Sequence, residues 1–118
     1  MSASLHDRAR PAVEGTHRDV DPAQVWEHRG AVVLIDVREP GEYTGELGHV
    51  PGATLVPLSM VGSEAPRWDA DAEIVLICRS GARSGRAAGS LARAGFTRVM
   101  NMTGGMLAWN AAQLPVER

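Results

Sequence analysis

The sequence has almost no cysteine, few aromatic residues and no lysine. Cys78 is the only cysteine among 118 residues. A single thiol excludes an internal disulfide and any cysteine-based zinc site, so the second party in any redox step must be another molecule. All 12 basic residues are arginine, against 14 acidic ones. The net charge of −2 exerts no overall pull on nucleic acid or anionic membrane. No apolar run approaches the roughly 20 residues that a membrane-spanning helix needs. Residues 1–15 are mixed in charge and lack the apolar stretch of a leader. These absences predict a cytoplasmic protein with no nucleic-acid or membrane partner. His6, His17 and His28 show no metal-ligand spacing, and neither a metal nor an organic cofactor is implied.

The composition suits one domain. At 44% hydrophobic residues, a chain of this length can build a core without disulfides or structural metal. Residues 1–15 read as a flexible tail with few large apolar side chains and one proline, Pro11. The domain is then expected over residues 16–118. Residues 16–20 predict a short edge strand. Asp21 followed by Pro22 reads as a helix start, with Asp21 as cap, and Gly30 can end that helix. Residues 31–37 and 74–77 are continuous apolar runs rich in β-branched side chains, the pattern of strands covered on both faces. Residues 53–56 and 98–102 are two further strand candidates. Between them, residues 84–94 predict a helix with Ala87, Ala88, Leu91 and Ala92 on one side. Gly85 and Gly89 weaken that helix but permit close approach to a sheet. Gly104 and Gly105 open a last short helix, in which Leu107 and Trp109 read as core. Strands alternating with helices predict an α/β fold with a mainly parallel sheet.

In such a sheet, ligands bind beyond the carboxyl ends of the strands. Asp36 ends one strong strand and Cys78 ends another, so parallel strands bring both to one edge. Arg79, Ser80, Gly81, Ala82 and Arg83 follow Cys78, and a helix follows from Ser84. A short glycine-containing loop at this place can turn its N–H groups inward as an anion nest. The helix N-terminus adds partial positive charge, and Arg79 and Arg83 add full charges. An ordinary thiol has a pKa of about 8.5, and such surroundings lower it to roughly 3.5–7.5. A lone cysteine after an apolar strand is commonly a small buried hydrophobe. Two arginines and a glycine beside it are poor core material, and they predict an electropositive, partly exposed, reactive thiol.

Three segments carry a resemblance to a known family. The first is Asp36-Val37-Arg38-Glu39-Pro40-Gly41-Glu42-Tyr43 with Gly48-His49-Val50-Pro51-Gly52-Ala53. The second is the loop Cys78-Arg79-Ser80-Gly81-Ala82-Arg83-Ser84. The third is Gly104-Gly105-Met106-Leu107-Ala108-Trp109 with Leu114-Pro115-Val116. In order and spacing the chain resembles the rhodanese family, specifically its small single-domain members. The resemblance implies a five-stranded, mainly parallel sheet with helices on both faces. It also implies sulfurtransfer by double displacement. Cys78 takes sulfane sulfur from a small donor such as thiosulfate or a persulfide. It then passes the sulfur to cyanide, a small thiol or a protein thiol.

Individual roles follow. Cys78 is the nucleophile, and residues 79–83 supply the amide cradle. Arg83 either binds substrate oxyanion or steadies the loop, while Arg79 points outward. Ser80 and Ser84 are placed to donate to the sulfur, and Ser84 is equally suited to cap the helix. Asp36 and Arg38 read as a structural ion pair, with Glu42 as an alternative partner for Arg38. His49, before a turn, reads as a structural hydrogen-bonding residue. Two other functions compete. Phosphatases and arsenate reductases of the same fold have a loop one residue longer, whereas Arg83 lies five positions after Cys78. A partner-binding or sulfur-carrier module with little turnover would keep the same loop.

Overall fold

The apolar runs of the sequence become the inner strands of one twisted sheet. A computed structural model of the protein describes residues 3–118. The chain runs α1 (Leu5–Arg8), β1 (Arg10–Pro11), β2 (Arg18–Val20), α2 (Pro22–His28), β3 (Val33–Asp36), α3 (Pro40–Tyr43) and β4 (Thr54–Leu55). It continues through α4 (Leu58–Glu64), a 3-10 turn (Ala65–Arg67), β5 (Ile74–Ile77), α5 (Ala82–Arg93), β6 (Val99–Met102) and α6 (Gly105–Ala111). The sheet order is β1-β2-β6-β5-β3-β4. Every pairing is parallel except β1 with β2. None of the helices described is long and apolar enough to cross a membrane.

Alternation along the strands divides the core in two. Val20, Leu34, Val75, Ile77, Met100 and Met102 face one side, against Leu5, Val25, Met106 and Trp109 of α1, α2 and α6. Ile35, Ile74, Leu76 and Val99 face the other, against Val61, Ala87, Ala88 and Leu91 of α4 and α5. Helices therefore cover both faces. The central strand β5, beside β6, is wholly buried, which is why its sequence shows no polar alternation. Asp36 pairs in register with Ile77, so the ends of β3 and β5 reach the same edge of the sheet. The Asp21 cap is a full capping box: Asp21 accepts from the Gln24 amide at 2.8 Å, and Gln24 accepts from the Asp21 amide at 3.0 Å.

Four expectations are corrected. The flexible tail is too long as drawn, because Leu5 is 1% exposed and belongs to the first core cluster. The Arg18 guanidinium donates to the His6 carbonyl at 2.7 Å, and the His6 amide donates to Glu73 at 2.8 Å. One large apolar side chain is enough to fasten the segment. Residues 10–11 add a sixth, antiparallel strand to the expected five, so β2 is not the edge. Leu107 is 41% exposed rather than core, since Met106 and Trp109 take the inward positions of α6. Finally, α5 begins at Ala82, with Gly81 as its cap at φ 96°. Ser84 is therefore the third helical residue and does not cap the helix.

Replacing Leu5 by Ala should lower unfolding stability by about 2–5 kcal/mol, as for other buried leucines. A change within a few tenths of a kcal/mol in urea unfolding would mean that this segment is not part of the core.

Candidate active site

Burial and polarity compete at the end of β5. Cys78 follows the last strand residue, Ile77, and is fully buried. The expected partial exposure is not found, because the loop turns back over the sulfur and strand alternation points it into the α5-side core. Inside that core the sulfur is well supplied with donors. Sγ accepts from the Gly81 amide at 3.1 Å, the Ser84 amide at 3.4 Å and the Ser84 hydroxyl at 3.2 Å. Burial is the largest single influence on the thiol and pushes its pKa up. Donation from the Ser84 hydroxyl and from the amides of Ser84, Gly81 and Ser80 together outweighs it. The net pKa lies below the ordinary thiol value.

The amides face inward because their neighbouring carbonyls are held from outside. The first N–H groups of a helix have no intrahelical acceptor. In α6 the Met106 and Leu107 amides donate to the carbonyls of Cys78 and Arg79 at 2.9 and 3.0 Å. With those carbonyls turned to α6, the following peptide groups curl around the sulfur. The approach leaves no room for a side chain at Gly105, whose φ is 55°. A Cβ there would sit 2.5 Å from the Arg79 carbonyl atoms. Gly105 thus belongs to the site, a role its position at a helix start alone did not reveal.

The remaining loop residues divide by exposure. Arg79 and Ser80 are exposed, and Ala82 lies at the surface. Arg83 makes no hydrogen bond to the sulfur and forms a two-pronged pair with Glu42 of α3, 2.8 Å on each prong. The Glu42 carboxylate is therefore the partner of Arg83, while the Arg38 guanidinium reaches only the Glu42 main-chain carbonyl. The Arg83 guanidinium beside it pulls the Glu42 carboxyl down to about 2. This pair joins the active loop to the segment after β3.

That segment is built around a buried charge pair. Asp36 and Arg38 are 0% and 1% exposed. Arg38 donates to the Asp36 carboxylate at 2.9 Å through Nε and 2.7 Å through Nη2. Nη1 and Nη2 also donate to the carbonyls of Glu42 and Gly48, at 3.1 and 2.7 Å. With its charge paired, the guanidinium fixes the turn that carries Glu42. His49 packs flat on Tyr43, with ring centroids 3.7 Å apart, and its Nδ1 lies 2.8 Å from the Tyr43 carbonyl. Its backbone pairs with Glu117 near the C-terminus. The hydrogen bonds of Asp36, Arg38 and His49 all run to this scaffold and not to the sulfur.

Sequence reasoning missed Asn101. It lies on β6 in register with Leu76 and is 7% exposed. Its Nδ2 donates to the Gly81 carbonyl at 3.2 Å, and its Oδ1 accepts from the Ser84 hydroxyl at 2.5 Å. The available signal was an amide inside the apolar run 99–102, which must find partners when buried.

Two outcomes test this geometry. Gly105→Ala should destabilise the protein by about 2–4 kcal/mol, through a strained backbone and displaced loop carbonyls, and should raise the thiol pKa. An unchanged thiol titration would separate α6 from the cradle. Glu42, depressed when folded, contributes stability that is complete above its unfolded pKa of about 4.3. That contribution should fade as pH falls from there towards about 2. Thermal unfolding of Glu42→Gln across this range should show a shallower acid loss than the parent. Parallel curves would deny the pair that role.

Comparison with known proteins agrees with the geometry. The Rhodanese-like domain family matches residues 21–112. A sulfurtransferase of Allochromatium vinosum is 36% identical over 85 residues, covering 72% of this chain and 78% of its own. A thiosulfate sulfurtransferase, GlpE, of Pseudoalteromonas translucida is 35% identical over 81 residues, covering 69% and 75%. Some relatives are longer: the chain spans 50% of a Synechocystis protein. Among solved structures, a rhodanese-related protein of Thermoplasma volcanium superposes with a TM-score of 0.78 at 27% identity, covering 86% of this chain and 98% of that one. The mainly parallel sheet with helices on both faces, the cysteine loop after central strand β5 and these likenesses place the chain in the rhodanese family.

Proposed function

We propose that the protein transfers sulfane sulfur through a persulfide on Cys78. The observation that carries this reading is the convergence of the Gly81 amide, the Ser84 amide and the Ser84 hydroxyl on one sulfur atom. Such a nest favours the ionised thiol, which is the nucleophile, and can hold the anionic end of a persulfide.

The reaction divides into two displacements. Cys78 thiolate attacks the outer sulfur of a donor such as thiosulfate. A Cys78–sulfur bond forms, the donor's sulfur–sulfur bond breaks, and sulfite leaves with the bonding pair. The negative charge now sits on the outer sulfur of the persulfide. An acceptor nucleophile, cyanide or a small or protein thiolate, then attacks that sulfur. The bond to Sγ breaks and Cys78 departs as thiolate. One cysteine suffices, because the acceptor supplies the second nucleophile. Exposed Arg79 attracts the anionic donor, while Arg83 serves mainly to tie the loop to α3 through Glu42. Asp36, Arg38 and His49 act on the scaffold. Phosphoryl transfer is the weaker reading, because the Arg83 guanidinium at the end of the loop, which would hold a tetrahedral group, is engaged with Glu42.

Mass spectrometry after thiosulfate treatment provides the test. The protein should gain one sulfur atom, lose it on adding cyanide, and gain none as Cys78→Ser. A gain that survives in Cys78→Ser would remove this thiol from the mechanism. A gain on the parent protein that cyanide does not discharge would favour a carrier over an enzyme.

A further inference from the structure

Two acceptors compete for the Ser84 hydroxyl proton. Strand alternation turns Met100 and Met102 to one face of the sheet and Asn101 to the other, beneath α5. Room for its amide exists there because Gly85 has no side chain. A Cβ at Gly85 would lie 3.2 Å from Asn101 Nδ2. The orientation of that amide is fixed by its surroundings. The Gly81 carbonyl can only accept, so the NH2 group faces it, and Oδ1 faces Ser84. The Ser84 hydroxyl then has two acceptors in reach, Asn101 Oδ1 at 2.5 Å and Cys78 Sγ at 3.2 Å. A hydroxyl carries a single proton, so it donates to one or the other.

We infer that Asn101 is a positioning residue of the sulfur site, the alternate acceptor for the Ser84 proton whenever Sγ carries no charge. Its part in turnover rests on the sulfurtransfer reading above, but the choice between acceptors belongs to the folded loop alone. When Sγ is a neutral thiol or the inner sulfur of a persulfide, the hydroxyl points at Asn101 Oδ1 and its oxygen lone pairs face the sulfur. When Sγ is thiolate, the hydroxyl swings to the charge, as the stronger charge-assisted bond requires. In the first displacement the electron pair leaves Sγ for the donor's outer sulfur, and the hydroxyl turns to Asn101. In the second the pair returns to Sγ, and the hydroxyl turns back. The proton stays on Ser84 throughout, and the amide keeps it partnered while the charge is elsewhere. A buried hydroxyl left without a partner would carry a desolvation cost at that stage.

This arrangement has a counter-intuitive consequence. Asn101 stabilises the neutral sulfur, so removing its oxygen should favour the thiolate. The test is a titration of thiolate by its ultraviolet absorbance in the parent, Asn101→Leu, Ser84→Ala and the double variant, with Cys78→Ser as blank. The charged groups around the sulfur are common to all four proteins: Arg83 on α5, Glu42 on α3, and Asp36 and Arg38 at the end of β3. Asn101→Leu should lower the thiol pKa by about half to one unit. Ser84→Ala should raise it, and the double variant should match Ser84→Ala. An unchanged or raised pKa in Asn101→Leu would overturn the proposal, as would an equal downward shift without Ser84. If the leucine variant does not fold, Asn101→Ala is judged by the same criterion. The expected pattern without any persulfide after thiosulfate would refute the sulfurtransfer reading and leave the proton-sharing one standing.

Discussion

A buried sulfur anion is tolerable only where hydrogen-bond donors replace the water it has lost, and this requirement shapes the whole edge of the sheet. Desolvation opposes ionisation of Cys78 more strongly than any single contact favours it. The balance is tipped by several donors acting together, and more than one element places them. The start of α5 supplies the Ser84 amide and hydroxyl. The left-handed turn at Gly81 supplies its amide. The open end of α6 holds the loop carbonyls outward. None of these groups is chemically unusual; what matters is that all converge on one atom.

The structure spends its charged residues on fixing that convergence and not on the sulfur itself. Arg38 is buried against Asp36, and its Nη1 holds the turn that bears Glu42. Glu42 in turn grips Arg83. The chain of contacts runs from the end of β3 to the start of α5 across the mouth of the loop. Isolated surface pairs contribute little, but a pair anchored on a buried one limits how far two loops can separate. Charge is thus placed in the scaffold and neutral donors at the sulfur, an arrangement that suits the proposed persulfide route.

Much of this was legible in the sequence, for reasons that differ by residue. The strand 74–77 was readable because a fully covered strand has no polar alternation. Asp21 and Pro22 declared a helix start by local hydrogen-bond chemistry. The loop 78–84 stood out because its composition is unsuited to the core that precedes it. Other features depend on contacts distant in sequence. Leu5 is a single apolar residue in a polar stretch, and only the tertiary groove it fills makes it core. Glu42 and Arg83 are separated by 41 positions, so nothing local pairs them. Asn101 sat inside a recognised strand, where its polarity marked a buried partner without naming it. The burial of Cys78 was also hidden, since the arginines beside it turn outward while the thiol follows the strand's alternation inward.

The most direct test of the account is an experimental structure of the protein after treatment with thiosulfate. The account predicts a second sulfur bonded to Cys78 Sγ, lying within hydrogen-bond reach of the loop amides, with the Arg83–Glu42 pair still in place. A bare Sγ, or an added sulfur turned away from those amides, would contradict it.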